Sequence, residues 1–237
     1  MSIENDLNQI LSKAKLIDLT HTLDSTIPTW NGSCGFEHAI KMDYPEGCRV
    51  QNIKMHAGVG THMDAPSHFI PNAASISNIP IEKLIIPGRT IDISNKNDPH
   101  YNLSTEDINA HEKQYGKIPK NSFVIGYTGW GKYWSDPLKY RNPDKNGIMI
   151  FPGFSKEASE LLIEREVVGI GIDTLSPDRP DTHFPVHNIM LGNDKYIIEN
   201  IANADLLPAH NFYFIALPLK VANGTESAIR AIAIVQK

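Results

Sequence analysis

A chain of 237 residues, 41% hydrophobic and 21% charged, has room for one large domain with its own core or for two small ones. Its net charge of −5 and its lack of any lysine/arginine run exclude the phosphate-neutralising surface that nucleic acid requires. No apolar stretch approaches the ~20 residues that cross a bilayer, and the start, Met1–Asp6, lacks the basic and apolar segments of an export signal, so a cytoplasmic protein without membrane contact is expected.

Leu7, Ile10, Leu11 and Ala14 recur at helical spacing and predict an amphipathic N-terminal helix over about 4–15, for packing or for an oligomer contact. Leu16–Thr20 reads as a short strand, with Asp18 and His21 near its end. Pro28 and Asn31-Gly32 mark a loop that carries Trp30. Phe36–Met42 and Cys48–His56 read as strands around the Tyr44–Gly47 turn. Two cysteines, Cys34 and Cys48, are too few for a disulfide framework and fit a reducing compartment.

The next stretch, Met55–Phe69, holds three of the ten histidines and one acid. Glycine and alanine separate them, so the backbone can bend and gather the side chains. His62 and Asp64, at i and i+2, share one face of an extended segment. Pro66 opposes a helix through the group. Imidazoles with a carboxylate suit zinc or manganese, and the stretch reads as a metal-binding loop leaving a strand.

Ile81–Ile86 and Thr90–Ile93 read as two strands bounded by Pro87-Gly88. Ser104 caps a helix that ends near Gly116. Ser122–Tyr127 is a buried strand that runs into the loop Thr128–Gly131. Ser155 caps a second helix to about Glu166, and Val167–Asp173 is an apolar run expected of a strand covered on both faces. Leu175–Pro185 is loop. Lys195–Ile201, Asn211–Val221 and Ser227–Val235 read as strands, the last two a hairpin across Ala222–Thr225. One α/β domain with a mixed sheet, spanning 1–237, is the economical architecture.

A second set of candidate ligands lies in this half. His183 and His187 are four apart, but Pro185 between them argues against one helical face. Glu199 sits among apolar neighbours in Tyr196–Asn200. A carboxylate in such a strand must be paired, protonated or metal-bound.

Gly60–Phe69 closely resembles the Putative cyclase family of metal-dependent hydrolases, which includes bacterial kynurenine formamidases and isatin hydrolases. Ile170–Asp178, Pro185-Val186-His187, Leu191-Gly192 and Ile197–Asn200 resemble it too, so the likeness runs from Leu16 to the C-terminus. It implies a swivelling β/β/α barrel-like core and a homodimer or homotetramer. It also implies metal ligands at His62, Asp64, His187 and Glu199, with the aspartate able to bridge two ions. His68 matches the proton donor and acceptor, and Trp30 the aromatic residue against the substrate. The formamidase motif His-Thr-Gly-Thr-His has a histidine four before the second. Here that position is Gly58, and the nearest histidine is His56. Either a two-residue insertion lets His56 supply the ligand, or the site is altered there.

The function expected is hydrolysis of a C–N bond in an aryl formamide or cyclic amide. One or two Zn²⁺ or Mn²⁺ ions would activate water, and His68 would carry the proton, as imidazoles titrate near neutrality. Trp30, with Phe69 and Trp130, would wall a pocket for a planar small molecule. A metal-dependent cyclase or lyase acting beside a carbonyl, and a metal- or ligand-binding module without turnover, are the rival readings.

Overall fold

The computed structural model describes residues 2–33 and 35–237, so the reading of Cys34 lies outside the described residues. Helix α1 (Ile3–Ser12) starts at Ser2, whose hydroxyl accepts the Asn5 N–H, and stops short of the expected Lys15. Ala14 and Lys15 instead open strand β1 (Ala14–Asp18), where they pair with Gln236 and Val235. Sheet pairing there satisfies backbone groups that one more helical turn would leave to solvent. The apolar stripe of α1 does not pack on its own chain; Leu7, Ile10 and Leu11 are exposed.

Strands β2 (Phe36–Met42) and β3 (Val50–Met55) form a projecting antiparallel hairpin around a 3₁₀ turn capped by Asp43. Cys48 is exposed on it. Strand β4 (His62–Asp64) follows. Then comes β5 (Ile85–Asp92), a single strand where two were expected. Pro87-Gly88 does not interrupt it. Gly88 instead leaves space for the Phe212 ring, with which any side chain there would collide. Strand β6 (Asn102–Leu103), helix α2 (Thr105–Tyr115), strand β7 (Phe123–Tyr127), helix α3 (Pro137–Arg141), strand β8 (Gly153–Phe154), helix α4 (Lys156–Glu164) and strand β9 (Gly169–Ile172) follow in order. Ser104 and Ser155 cap α2 and α4 as their sequences predict.

Helix α5 (Pro185–Gly192) begins at Pro185, so the proline does not stand inside a helix between His183 and His187. The proline occupies the first helical turn, where its missing N–H costs nothing and its fixed φ favours the start. His183 lies outside the helix, so the two histidines do not share a helical face. Strands β10 (Tyr196–Glu199), β11 (Phe212–Pro218) and β12 (Glu226–Gln236) complete the chain.

The order β12-β11-β5-β7-β9-β10-β4 closes when β4 pairs with β12, giving a seven-stranded mixed barrel with β1 on its edge. The pairings β5–β7, β7–β9 and β9–β10 are parallel, and the others antiparallel. Period-2 alternation sorts the side chains. Met63, Phe123, Ile125, Ile198, Phe214 and Ala231 fill the inside, where Phe123 stacks on Phe214 and Tyr196. Val124, Ile170, Ile172 and Ile197 face outward and are covered by α2, α4 and α5. No helix of the described residues is long and apolar enough to cross a membrane.

Candidate active site

The site lies on the outer face of the antiparallel portion of the barrel. Across β10, β4 and β12, Glu199 pairs with His62, and Asp64 pairs with both Ile197 and Glu226. Met63 and Ile198 point inward, so alternation sends His62, Asp64, Glu199 and Glu226 to the same outer patch. The expected loop is thus a buried strand at its two central ligand candidates, and the shared face of His62 and Asp64 is present. Helix α5 lays His187 over this patch, and the 3₁₀ turn Pro66–His68 brings His68 to its edge.

Two overlapping groups result. His187, Asp64 and Glu199 form one; His62, Asp64 and Glu226 form the other. Within each group the ligating atoms lie within 4.8 Å of one another. His62 Nε2 stands 3.5 Å from Asp64 Oδ1 and 3.4 Å from Glu199 Oε2. His187 Nε2 stands 3.6 Å from Asp64 Oδ2 and 3.4 Å from Glu199 Oε1. Asp64 is 1% exposed, yet neither of its oxygens has a hydrogen-bond partner. Buried carboxylates are not left unsatisfied without cause. Imidazole nitrogens 3.4–3.6 Å from such oxygens are spaced as ligands of a common ion rather than as hydrogen-bond donors. The residues therefore fit a divalent metal.

The far side of each imidazole is fixed. His62 Nδ1 lies 2.9 Å from the Gly60 carbonyl, which also accepts Asn200 Nδ2–H at 2.9 Å. Asp178 Oδ2 lies 2.8 Å from His187 Nδ1 and accepts the His187 backbone N–H at 2.9 Å, while Oδ1 accepts Val186 N–H. Asp178 so caps α5 and aims His187 Nε2 at the carboxylates, as outer carboxylates do for metal-bound histidines. Asp178→Asn keeps the cap's shape but weakens its hold on the imidazole. It is expected to weaken divalent-ion affinity about 10- to 100-fold with little change in melting temperature, read by calorimetric titration.

Electrostatics follow from this crowding. Burial pulls the His62 pKa down, but Glu199 and Asp64 outweigh it and hold it at about 10. His187 is likewise raised by Asp178, Asp64 and Glu199 against its burial. Burial opposes ionisation of Asp64, yet His187, His62 and His68 keep its carboxyl below the ordinary value. Burial and the Asp64 charge push Glu226 up. In chelator-treated protein, a His62 pKa raised from 6.5 to about 10 gives stabilisation that is complete below about pH 6.5 and lost as pH rises toward 10. Urea midpoints are therefore expected to fall across that window. Added Mn²⁺ should reduce the loss, because the ion replaces the proton and binds better as pH rises. A rising midpoint in chelated protein would contradict this assignment.

Trp30, Phe69, Phe184 and Leu175 wall a cavity of about 490 Å³ above the metal-ligand candidates. Trp30 sits 5.9 Å from the Phe184 ring and Phe69 stacks on His187 at 4.5 Å. His68, 29% exposed at its side chain, faces the same cavity, with Nδ1 3.4 Å from Glu226 Oε2. Trp130 does not join this wall. It lines a separate cavity of about 430 Å³, tied there because Asp173 accepts its backbone N–H and Tyr140 its indole N–H. His56 is exposed at the cavity rim and belongs to neither ligand group. Its imidazole packs beside Gly35, and the space beside Gly58 is filled by the Glu226 carboxylate. His21 belongs to neither ligand group; its imidazole stacks on Trp134 at 3.7 Å, and burial lowers its pKa to about 4. Glu226, Asp178 and Phe184 were not singled out by sequence. Only Asp178 carried a signal, as the acid of Ser176-Pro177-Asp178 ahead of His187.

The sequence model of the family described as Putative cyclase matches residues 17–179. An isatin hydrolase of Roseibium aggregatum is 34% identical over 189 residues, 75% of this chain and 72% of that protein. A kynurenine formamidase of Bacillus thuringiensis is 25% identical over 226 residues, 94% of this chain and 98% of that protein. The solved structure of isatin hydrolase A from Labrenzia aggregata bound to benzyl benzoate superposes with a TM-score of 0.92 at 33% identity, covering 100% of both chains.

Proposed function

The chain belongs to the Putative cyclase family, and from that membership we propose that it is a metal-dependent amidohydrolase opening a cyclic amide fused to an aromatic ring. Aryl formamides are the second substrate class. The observation that carries this reading is Asp64, buried without a hydrogen-bond donor between His62 and His187, beneath an aromatic-walled cavity. The greater identity to the isatin hydrolase than to the formamidase supports the cyclic amide.

His62, Asp64, His187 and Glu199 would hold the ion, zinc or manganese by the hardness of their nitrogens and oxygens. A divalent ion there supplies Lewis acidity to a carbonyl and acidity to water. Trp30, Phe69 and Phe184 hold a planar ring and exclude bulk solvent. Water adds to the carbonyl carbon and the C–N bond breaks. His68 takes the proton from water and delivers it to the departing nitrogen. Gly60, Asn200 and Asp178 keep the two imidazoles in one orientation throughout.

Protein reconstituted with Mn²⁺ or Zn²⁺ is tested against isatin and N-formyl aromatic amines in ¹⁸O-labelled water. Ring opening or deformylation with label in the acid, abolished by chelation, is expected. Metal-loaded protein that hydrolyses neither class, or product without label, would sink the reading. A cytoplasmic location goes with it, supported by the low cysteine content. A homodimer or homotetramer is the assembly proposed, supported by the exposed apolar face of α1 and by Ile40 and Ile53 on the β2–β3 hairpin. Sedimentation as a monomer at micromolar concentration would remove that part.

A further inference from the structure

We propose that Glu226 completes a second divalent-cation position with His62 and Asp64, across the Asp64 carboxylate from the position of His187 and Glu199. The inference rests on the metal-dependent reading above and concerns how many ions the site takes and which residue holds the second.

Register is the first argument. Glu226 on β12 lies directly opposite Asp64 on β4, on the same outer face. Like charges directly opposite one another destabilise a sheet. Glu199 adds a third carboxylate one strand away. A cation between Glu226 and Asp64 offsets that repulsion.

The orientation of Asp64 is the second. Its two oxygens are buried, have no hydrogen-bond partner and face different ways: Oδ1 toward His62, Oδ2 toward His187. One carboxylate so placed has one oxygen for each group.

Gly58 is the third. A side chain there would collide with Glu226 Oε1, and its Cβ would stand 3.2 Å from His62 Nε2. The missing side chain is what admits the glutamate beside the imidazole. Glu226 Oε2 faces His68 Nδ1 at 3.4 Å, which leaves Oε1, the oxygen beside Gly58, for the cation. One imidazole and two carboxylates suit manganese or zinc.

The test titrates Mn²⁺ into chelator-treated full-length protein by calorimetry and records low-temperature paramagnetic resonance. Two ions per chain and a spin-coupled manganese signal are expected. Glu226→Gln should bind one ion tightly, with the second weakened roughly 100-fold and the coupling lost. Gly58→Ala, which keeps the carboxylate but crowds it, should weaken the second ion in the same direction and serves if the glutamine variant fails to fold. A single ion in the parent protein, or two ions with unchanged affinity in both variants, overturns the proposal. Amide hydrolysis is measured separately. Two coupled ions without turnover keep this position and sink the proposed function, whereas turnover with one ion does the reverse.

Discussion

Asp64→Ala is expected to abolish tight divalent-ion binding and turnover together. Asp64 is the one residue common to both ligand groups, and it is 1% exposed beneath the cavity. Removing it leaves His187 facing Glu199, and His62 facing Glu199 and Glu226, with the central oxygens gone. Loss of the Lewis acid removes several kcal/mol of transition-state stabilisation, so turnover should fall on the order of 10⁴-fold, equivalent to about 5.5 kcal/mol. The fold should survive. The backbone at position 64 keeps its pairing with Ile197 and position 226, and the variant relieves a crowd of buried charges. Elemental analysis of purified protein, steady-state kinetics and a melting curve read the three parts. Metal-dependent hydrolysis that persists in this variant would remove Asp64 from the centre of the mechanism.

How far the sequence foretells this site depends on the range of the interaction. His62 and Asp64 share a face because of a local period of two, so one strand's sequence suffices. Glu199 is legible because a carboxylate among isoleucines needs a partner. Glu226 carries no such local sign. Its part follows from barrel closure, since only the β4–β12 register sets it opposite Asp64. Read locally, it is the end of a hairpin connection. Pro87 misleads because proline's effect depends on which backbone N–H it removes, and here the pairing with β11 runs on through it, Pro87 opposite Tyr213. His56 misleads through proximity in sequence. It is near the missing ligand position along the chain, but exposed at the rim in space.

His68→Ala separates ion binding from proton transfer. His68 is in neither ligand group, sits on the turn after β4 and faces the cavity. Its loss should therefore leave ion content unchanged while lowering kcat by about 10²- to 10⁴-fold, the usual range for a positioned acid–base. KM should change little, because Trp30 and Phe184 still hold the ring. The pH profile adds a readout that a packing role would not move. The parent's pH dependence of kcat should change form, with the residual rate rising with hydroxide. Small amine or imidazole buffers should restore part of the rate through the space the side chain vacates. Turnover equal to the parent's would take His68 out of the reaction. Loss of the ion would instead make His68 a ligand, beside Glu226 at 3.4 Å.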